Sequence, residues 1–332
     1  MDRNTSNHPY RDLRVPNTAG FKLQPSSSGK GWGAFATSNI KQGALILSEK
    51  PLFIIEKAHE DITEKDVWTA FQQLAPAEKQ QFLLLRDNAS SPFKSMEEAF
   101  AENSFELPYI SGHGLYLLHS RFNHSCIPNA NIPITDNEII KIFAIEDIIA
   151  GDEITFCYNP DFECRTRHDR HKVLRFTCDC KACLIGTDFH HLSDMRRTLI
   201  RGLQYITLGV DLDGKRQGSA SAIIIDKELK AAAETFNIPL STRLICNVFI
   251  VLLLQEEQLL DEFMVRRFNP RILRISRLFQ TESNAMIARN ALAQPTWLER
   301  FCTVLALYGR RDAADHGVAL ALQMRHGLPE KF

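Results

Sequence analysis

Three cysteines stand within six residues in FTCDCKACLIG (Phe176 to Gly186). The spacing Cys178-x-Cys180-x-x-Cys183 is short enough for a tight loop to turn all three thiols inward. Three sulfurs at about 2.3 Å from one zinc ion fill three of its four tetrahedral positions. The fourth position goes either to water, which makes the metal catalytic, or to a distant side chain, which closes the site. Cys126, in SRFNHSCIPNA (Ser120 to Ala130), is the best distant candidate, because Pro128 follows it in a polar loop. The alternative is a set of buried thiols acting as small hydrophobic side chains. That reading suits the remaining cysteines better. Cys246 and Cys302 sit on apolar helical faces, Cys157 lies in a strand pattern, and Cys164 goes with them.

The compartment bears on this choice. The opening MDRNTSNHPYRDLRVPNTAG is polar and turn-rich, and it lacks a charged-then-apolar signal pattern. The longest strongly apolar run, LICNVFIVLLL (Leu244 to Leu254), is eleven residues and carries Asn247, against the roughly twenty needed to span a bilayer. It reads as a buried helix. A nucleus or cytoplasm location follows, where close cysteines more often bind metal than form disulfides. The 39 basic residues against 40 acidic ones set up no overall field toward nucleic acid or an anionic membrane.

With 332 residues, 44% of them hydrophobic, the chain has material for two domains or for one domain with an appended helical part. Residues 1–20 read as a flexible arm. QPSSSGKGWG is a loop leading into strand-like segments. From about Ala58 to Asn103 the pattern turns helical, in DITEKDVWTAFQQL, APAEKQQFLLLRD and SMEEAFAEN, and marks a helical insert at about residues 58–110. Strand signals return in NANIPIT, IIKIFAIEDI and EITFCY. Residues 187–332 read as a helical domain, with one helix from near Ser241 to Arg267 and another across RILRISRLFQTESNAMIARNALA, and it is a candidate surface for a protein partner.

NHSCIPN (Asn123 to Asn129), GDEITFCY (Gly151 to Tyr158) and CDCKAC (Cys178 to Cys183), preceded by GKGWGAFAT (Gly29 to Thr37), occur in an order and spacing similar to those of SET-domain lysine methyltransferases. The resemblance covers about residues 21–186. The run RTRHDRHKVLRFTCDC looks most like the SET-and-MYND subfamily and its fungal relatives. This implies an α+β fold: short curved β-sheets with a threaded pseudoknot over residues 21–160, a helical insert, a zinc-binding post-SET segment over 161–186 and the C-terminal helices. It implies S-adenosylmethionine as cofactor and a protein lysine, on a histone or another protein, as acceptor. It also implies a structural zinc closed by Cys126, Cys178, Cys180 and Cys183. The insert contains no cysteine, so no MYND zinc module is expected.

Methyl transfer to an amine needs a neutral amine, an aligned methyl group and exclusion of water. Tyr158, ending EITFCY, matches the catalytic tyrosine of the family; taken alone, a strand-end tyrosine is equally well a packing residue. GKGWG lacks the spacing and following helix of a phosphate loop. By resemblance, the backbone of Lys30, Gly31 and Trp32 meets the methionine end of the cofactor, with Asn123 and His124 as further contacts and Phe176 stacking on adenine. Arg121 and Asn129 are expected to hold the loop crossing. Tyr116 and Phe156 are candidates for the substrate channel and equally for the core. Two other functions fit the same motifs: the scaffold acting on a small molecule or by different chemistry, and an interaction module without turnover.

Overall fold

The glycine-rich segment ahead of Trp32 makes the first hairpin. Strand β1 (Phe21–Pro25) runs antiparallel to β2 (Trp32–Ala36), from Phe21 opposite Ala36 to Pro25 opposite Trp32. Gly31 sits at φ 75°, a left-handed conformation that glycine adopts without a Cβ penalty. Its carbonyl accepts from Ser26 N at 2.8 Å and narrows the loop. The structure is a computed structural model that describes residues 8–26, 30–85, 92–136, 138–174, 176–208 and 240–266. The chain divides into two units, residues 1–158 and 159–332.

Among the described residues, the first unit holds three small sheets. β1 and β2 continue into β10 (Glu153–Phe156) and β7 (Asn123–His124), in the order β1-β2-β10-β7. β10 is antiparallel to β2 and parallel to β7, with Thr155 opposite Asn123 and Phe156 opposite His124. A second sheet sets β3 (Leu45–Glu49) beside β9 (Ile139–Phe143) and β8 (Ile134–Asp136). A third sets β4 (Ile54–Ile55) beside β6 (Gly112–Leu115) and β5 (Ser104–Leu107). None of these strands exceeds five residues. Each sheet therefore relies on shared packing rather than on its own ladder.

The insert consists of α1 (Glu64–Gln73), α2 (Pro76–Leu83) and α3 (Met96–Asn103). Pro76 begins α2 where a missing N–H costs nothing, and Ser95 Oγ caps α3 by accepting from Glu98 N at 3.0 Å. Phe82 and Phe100, buried on these helices, pack against Phe53 and join the main core with Phe21, Ile142 and Ile154. The helical region ends at Asn103, and β5 follows at once. The helical pattern of the sequence ends at the same residue; beyond it Phe105 and Leu107 face one way as strand residues, and Ser111 at φ 49° turns the chain into β6.

Residues 8–13 also differ from a flexible arm. Pro9–Asp12 forms a short 3-10 helix. Tyr10 and Leu13 are buried, the His8 ring stacks on Trp32, and the Arg121 guanidinium lies 4.3 Å from the Tyr10 ring centroid. Aromatic burial and cation–π contact offset the entropy of holding the segment.

The second unit is helical among its described residues. A 3-10 turn (Pro160–Cys164) precedes α4 (Arg167–Leu174), α5 (Asp188–Leu208), α6 (Leu240–Glu256) and α7 (Leu260–Arg266). Leu199, Ile200 and Leu203 of α5 are buried, as are Phe249, Ile250 and Leu253 of α6, and the two helices pack together. The single helix expected from Ser241 to Arg267 is broken by Gln258 at φ 58°, which lets Glu257 turn inward with no exposed surface. Its carboxylate takes Arg196 Nε at 2.6 Å, Arg197 Nε at 2.9 Å and Ser193 Oγ at 2.8 Å. The helix expected across residues 271–293 and Cys302 lie outside the described residues. No helix among those described is long and apolar enough to cross a membrane.

Candidate active site

The parallel pairing of β7 with β10 brings two separated motifs side by side. Asn123 and His124 end the segment that begins at Ser120, while Phe156 and Tyr158 close GDEITFCY. Tyr158 is fixed at both ends. Its main-chain N–H donates to His124 Nδ1 at 3.1 Å, and its hydroxyl donates to the Phe122 carbonyl at 3.1 Å. Its ring lies 5.1 Å from those of His124 and Phe156.

The residue as a whole is 46% exposed, but its hydroxyl is turned inward onto a main-chain carbonyl. Desolvation raises the phenol pKa well above the ordinary tyrosine value, with Arg121 opposing the shift and Glu153 adding to it. The phenol stays protonated through the neutral range. Its proton is committed to the Phe122 carbonyl, which leaves oxygen lone pairs available to an incoming N–H group.

Because His124 Nδ1 accepts from Tyr158, the ring proton belongs on Nε2, which faces Cys126 Sγ at 3.2 Å. The imidazole is buried, and Cys126 has no exposed surface. One side chain thus ties the Tyr158 main chain to the cysteine of NHSC, a use of His124 beyond the expected backbone contact with cofactor.

The Asn123 side chain meets the loop that carries Trp32. Its Nδ2 is 2.7 Å from Glu153 Oε1 and 3.3 Å from the Trp32 carbonyl, while Ser26 Oγ donates to Glu153 Oε2 at 2.9 Å. Glu153 and Asn123 together therefore join both ends of the Gly31 loop to β7. Gly33 makes this possible: a Cβ there would fall on Glu153 Oε1 and stand 2.8 Å from Asn123 Nδ2. Sequence reasoning missed Glu153. The signal was a carboxylate opening a buried strand, opposite a strand with a glycine in it.

Asn129 donates to the Glu153 carbonyl at 2.9 Å and accepts from Thr155 N at 2.8 Å, so it knits its loop to β10. Arg121 bonds the Asn103 side chain. Of the two channel candidates, Phe156 stands beside Tyr158. Tyr116 does not: it is fully buried with Leu107 and Ile140, and its hydroxyl donates to the Glu138 carbonyl. It takes the core alternative of its two readings, where it anchors the β8–β9 turn.

In the second unit, the sulfurs of Cys178, Cys180 and Cys183 lie within 4.8 Å of one another. Cys183 N donates to the Cys180 carbonyl at 2.7 Å and Leu184 N to the same carbonyl at 2.9 Å, the local turn that gathers the thiols. A donor set of soft sulfurs in this turn suits zinc. Cys157 and Cys164 are buried. Phe176 is 40% exposed.

Comparison with known proteins gives a consistent picture. The family model described as the SET domain matches residues 31–159. A protein-lysine N-trimethyltransferase, SMYD5, of Gallus gallus is 38% identical over 115 residues, covering 32% of this chain and 27% of its own length. The histone-lysine N-methyltransferase set5 of Schizosaccharomyces pombe is 29% identical over 191 residues, covering 53% of this chain and 54% of its own. A SET and MYND domain-containing protein of Dictyostelium discoideum is 41% identical over 78 residues, 22% of each chain. The chain spans little more than a quarter of the length of the SMYD5 relative and about half that of set5.

Proposed function

We infer that this chain, a SET-domain protein related to the SET-and-MYND proteins, transfers a methyl group from S-adenosylmethionine to the side-chain amine of a protein lysine. The observation that carries this reading is the placement of Tyr158, its phenol protonated and held by Phe122 while its main chain is held by His124. S-adenosylmethionine, when bound, supplies an electrophilic methyl group. The residues assigned to hold it are the backbone of Lys30, Gly31 and Trp32, the side chain of Asn123, the backbone of His124, and Phe176. The left-handed turn at Gly31 supports that assignment, since a residue without a Cβ there keeps the loop's backbone approachable.

The chain's own work is positional. Tyr158 Oη, with its proton spent on the Phe122 carbonyl, accepts a hydrogen bond from the lysine nitrogen and aims its lone pair. A lysine amine in water has a pKa of about 10.4 and arrives protonated. The apolar Phe156 ring beside Tyr158 lowers that value by desolvation and favours the neutral nucleophile. Catalysis of this kind rests on orientation and preorganised polar groups rather than on a covalent step with the enzyme.

A structural zinc ion is assigned to Cys126, Cys178, Cys180 and Cys183 on the likeness of NHSC and CDCKAC to the motifs of the family; within the second unit, the turn that gathers Cys178, Cys180 and Cys183 supports it. Four thiolates leave no coordination position for a reactive water, so the ion stabilises the post-SET segment, residues 161–186. The helices after residue 187 are assigned a partner surface, and the protein a place in the nucleus or cytoplasm. The test is incubation of zinc-loaded protein with methyl-labelled cofactor and a soluble extract of its own source. Label on protein lysines is expected; label confined to small molecules would contradict the reading.

A further inference from the structure

Arg170, on α4, has no exposed surface. Its Nη1 donates to the Arg165 carbonyl at 2.6 Å, and its Nη2 donates to the Ala182 carbonyl at 3.2 Å and stands 3.4 Å from Cys183 Sγ. The Asp194 carboxylate lies 3.5 Å from Nη1, on a side chain 37% exposed, and also accepts from Arg167 N at 2.5 Å. One turn earlier on the same face of α4, Arg167 Nε donates to the Cys183 carbonyl at 2.9 Å. α4 thus grips Cys183 twice, at its main chain and at its sulfur.

The two contacts differ in kind. Arg167 meets a carbonyl, as any loop anchor does. Arg170 places a permanent charge, wholly out of water, against a sulfur atom, with the partly exposed Asp194 carboxylate at 3.5 Å offsetting part of it. A neutral thiol is a weak acceptor and does little to offset the desolvation of a guanidinium. A metal-bound thiolate is a charged acceptor, and four thiolates around a divalent ion leave a net charge of about −2 to be balanced from outside. We propose that Arg170 is the outer donor that compensates the charge of the thiolate cluster through Cys183, and so sets how tightly the metal is held. This rests on the zinc reading given above. It makes Arg170 a positioning residue for the metal rather than for the methyl acceptor.

The experiment compares wild type, Arg170→Met and Arg167→Met as full-length, zinc-loaded proteins in competition with a chromogenic chelator. Outer partners of metal ligands are worth roughly 10–100-fold in affinity. A loss of that size is expected for Arg170→Met, and a much smaller one for Arg167→Met. In case Arg170→Met does not fold, Arg170→Gln is loaded with cobalt(II) and its sulfur-to-metal charge-transfer band compared with that of wild type. A shift to longer wavelength is expected when the charged donor is lost, and a role in packing alone would not move the band. Zinc affinity within twofold of wild type in folded Arg170→Met, or an unshifted band in Arg170→Gln, overturns the proposal while leaving the zinc site standing. Wild-type protein that takes up neither zinc nor cobalt overturns the zinc reading and this inference together.

Discussion

The two units hold their buried polar groups with a different emphasis. In the first, short strands bring main-chain groups and small polar side chains together: Asn123 on Glu153, Asn129 on β10, Tyr158 between Phe122 and His124. In the second, full charges are buried. Glu257 lies between Arg196 and Arg197, and Arg197 Nη1 donates to the Phe162 carbonyl at 2.6 Å. Main-chain clamps fix positions to within a hydrogen bond, which suits the role proposed for Tyr158. Buried ion pairs contribute little net stability but are costly to break, because the surviving charge is left stranded. Precision in one unit and an all-or-none lock in the other are the lesson of the contrast.

Breaking the lock is expected to have the largest effect. Glu257→Ala leaves two guanidinium groups buried without their carboxylate and should cost about 3–5 kcal/mol. Hydrogen exchange would locate the damage: faster exchange in peptides from residues 188–208, with residues 21–36 unchanged. Equal loss of protection in both regions would contradict the view that the units are held by separate means. A smaller effect sharpens the other side. Gly33→Ala pushes a methyl group into the Glu153–Asn123 contact and should cost about 1–3 kcal/mol by overpacking, read from urea unfolding. Cofactor affinity should fall with it, since the displaced groups hold the Gly31 loop. An alanine accommodated without loss would show that this close approach is not a requirement.

Much of the site was legible in the sequence because its chemistry sits in short contiguous words. NHSC, GDEITFCY and CDCKAC each name their own residues, and the gathering of Cys178, Cys180 and Cys183 in one turn follows from spacing alone. What escaped depends on pairing between distant strands. Nothing local says that Thr155 stands opposite Asn123, and without that register neither the Glu153 bridge nor the bond from Tyr158 N to His124 is visible. Tyr116 was ambiguous because an aromatic near a site and an aromatic in the core have the same sequence signature; its hydroxyl partner, the Glu138 carbonyl, decides. The break at Gln258 was hidden for a different reason. The run Leu244 to Leu254 is apolar almost throughout and reads as one buried helix, and the signal for ending it is a buried carboxylate whose partners lie some sixty residues earlier. Tyr10 and Leu13 look like isolated apolar residues in a polar arm until Trp32 and Arg121 are placed beside them.

The central claim is that Tyr158 acts on the transition state through its hydroxyl and contributes little to holding cofactor. Tyr158→Phe keeps the ring and removes one oxygen, so measuring turnover and cofactor affinity on the same purified, zinc-loaded variant separates the two roles. The account predicts a fall in kcat by a factor on the order of 100, with the cofactor Kd within about twofold of wild type, the pattern of an interaction made mainly in the transition state. Turnover within a few-fold of wild type, or a loss of cofactor binding that matches the loss of rate, would contradict it.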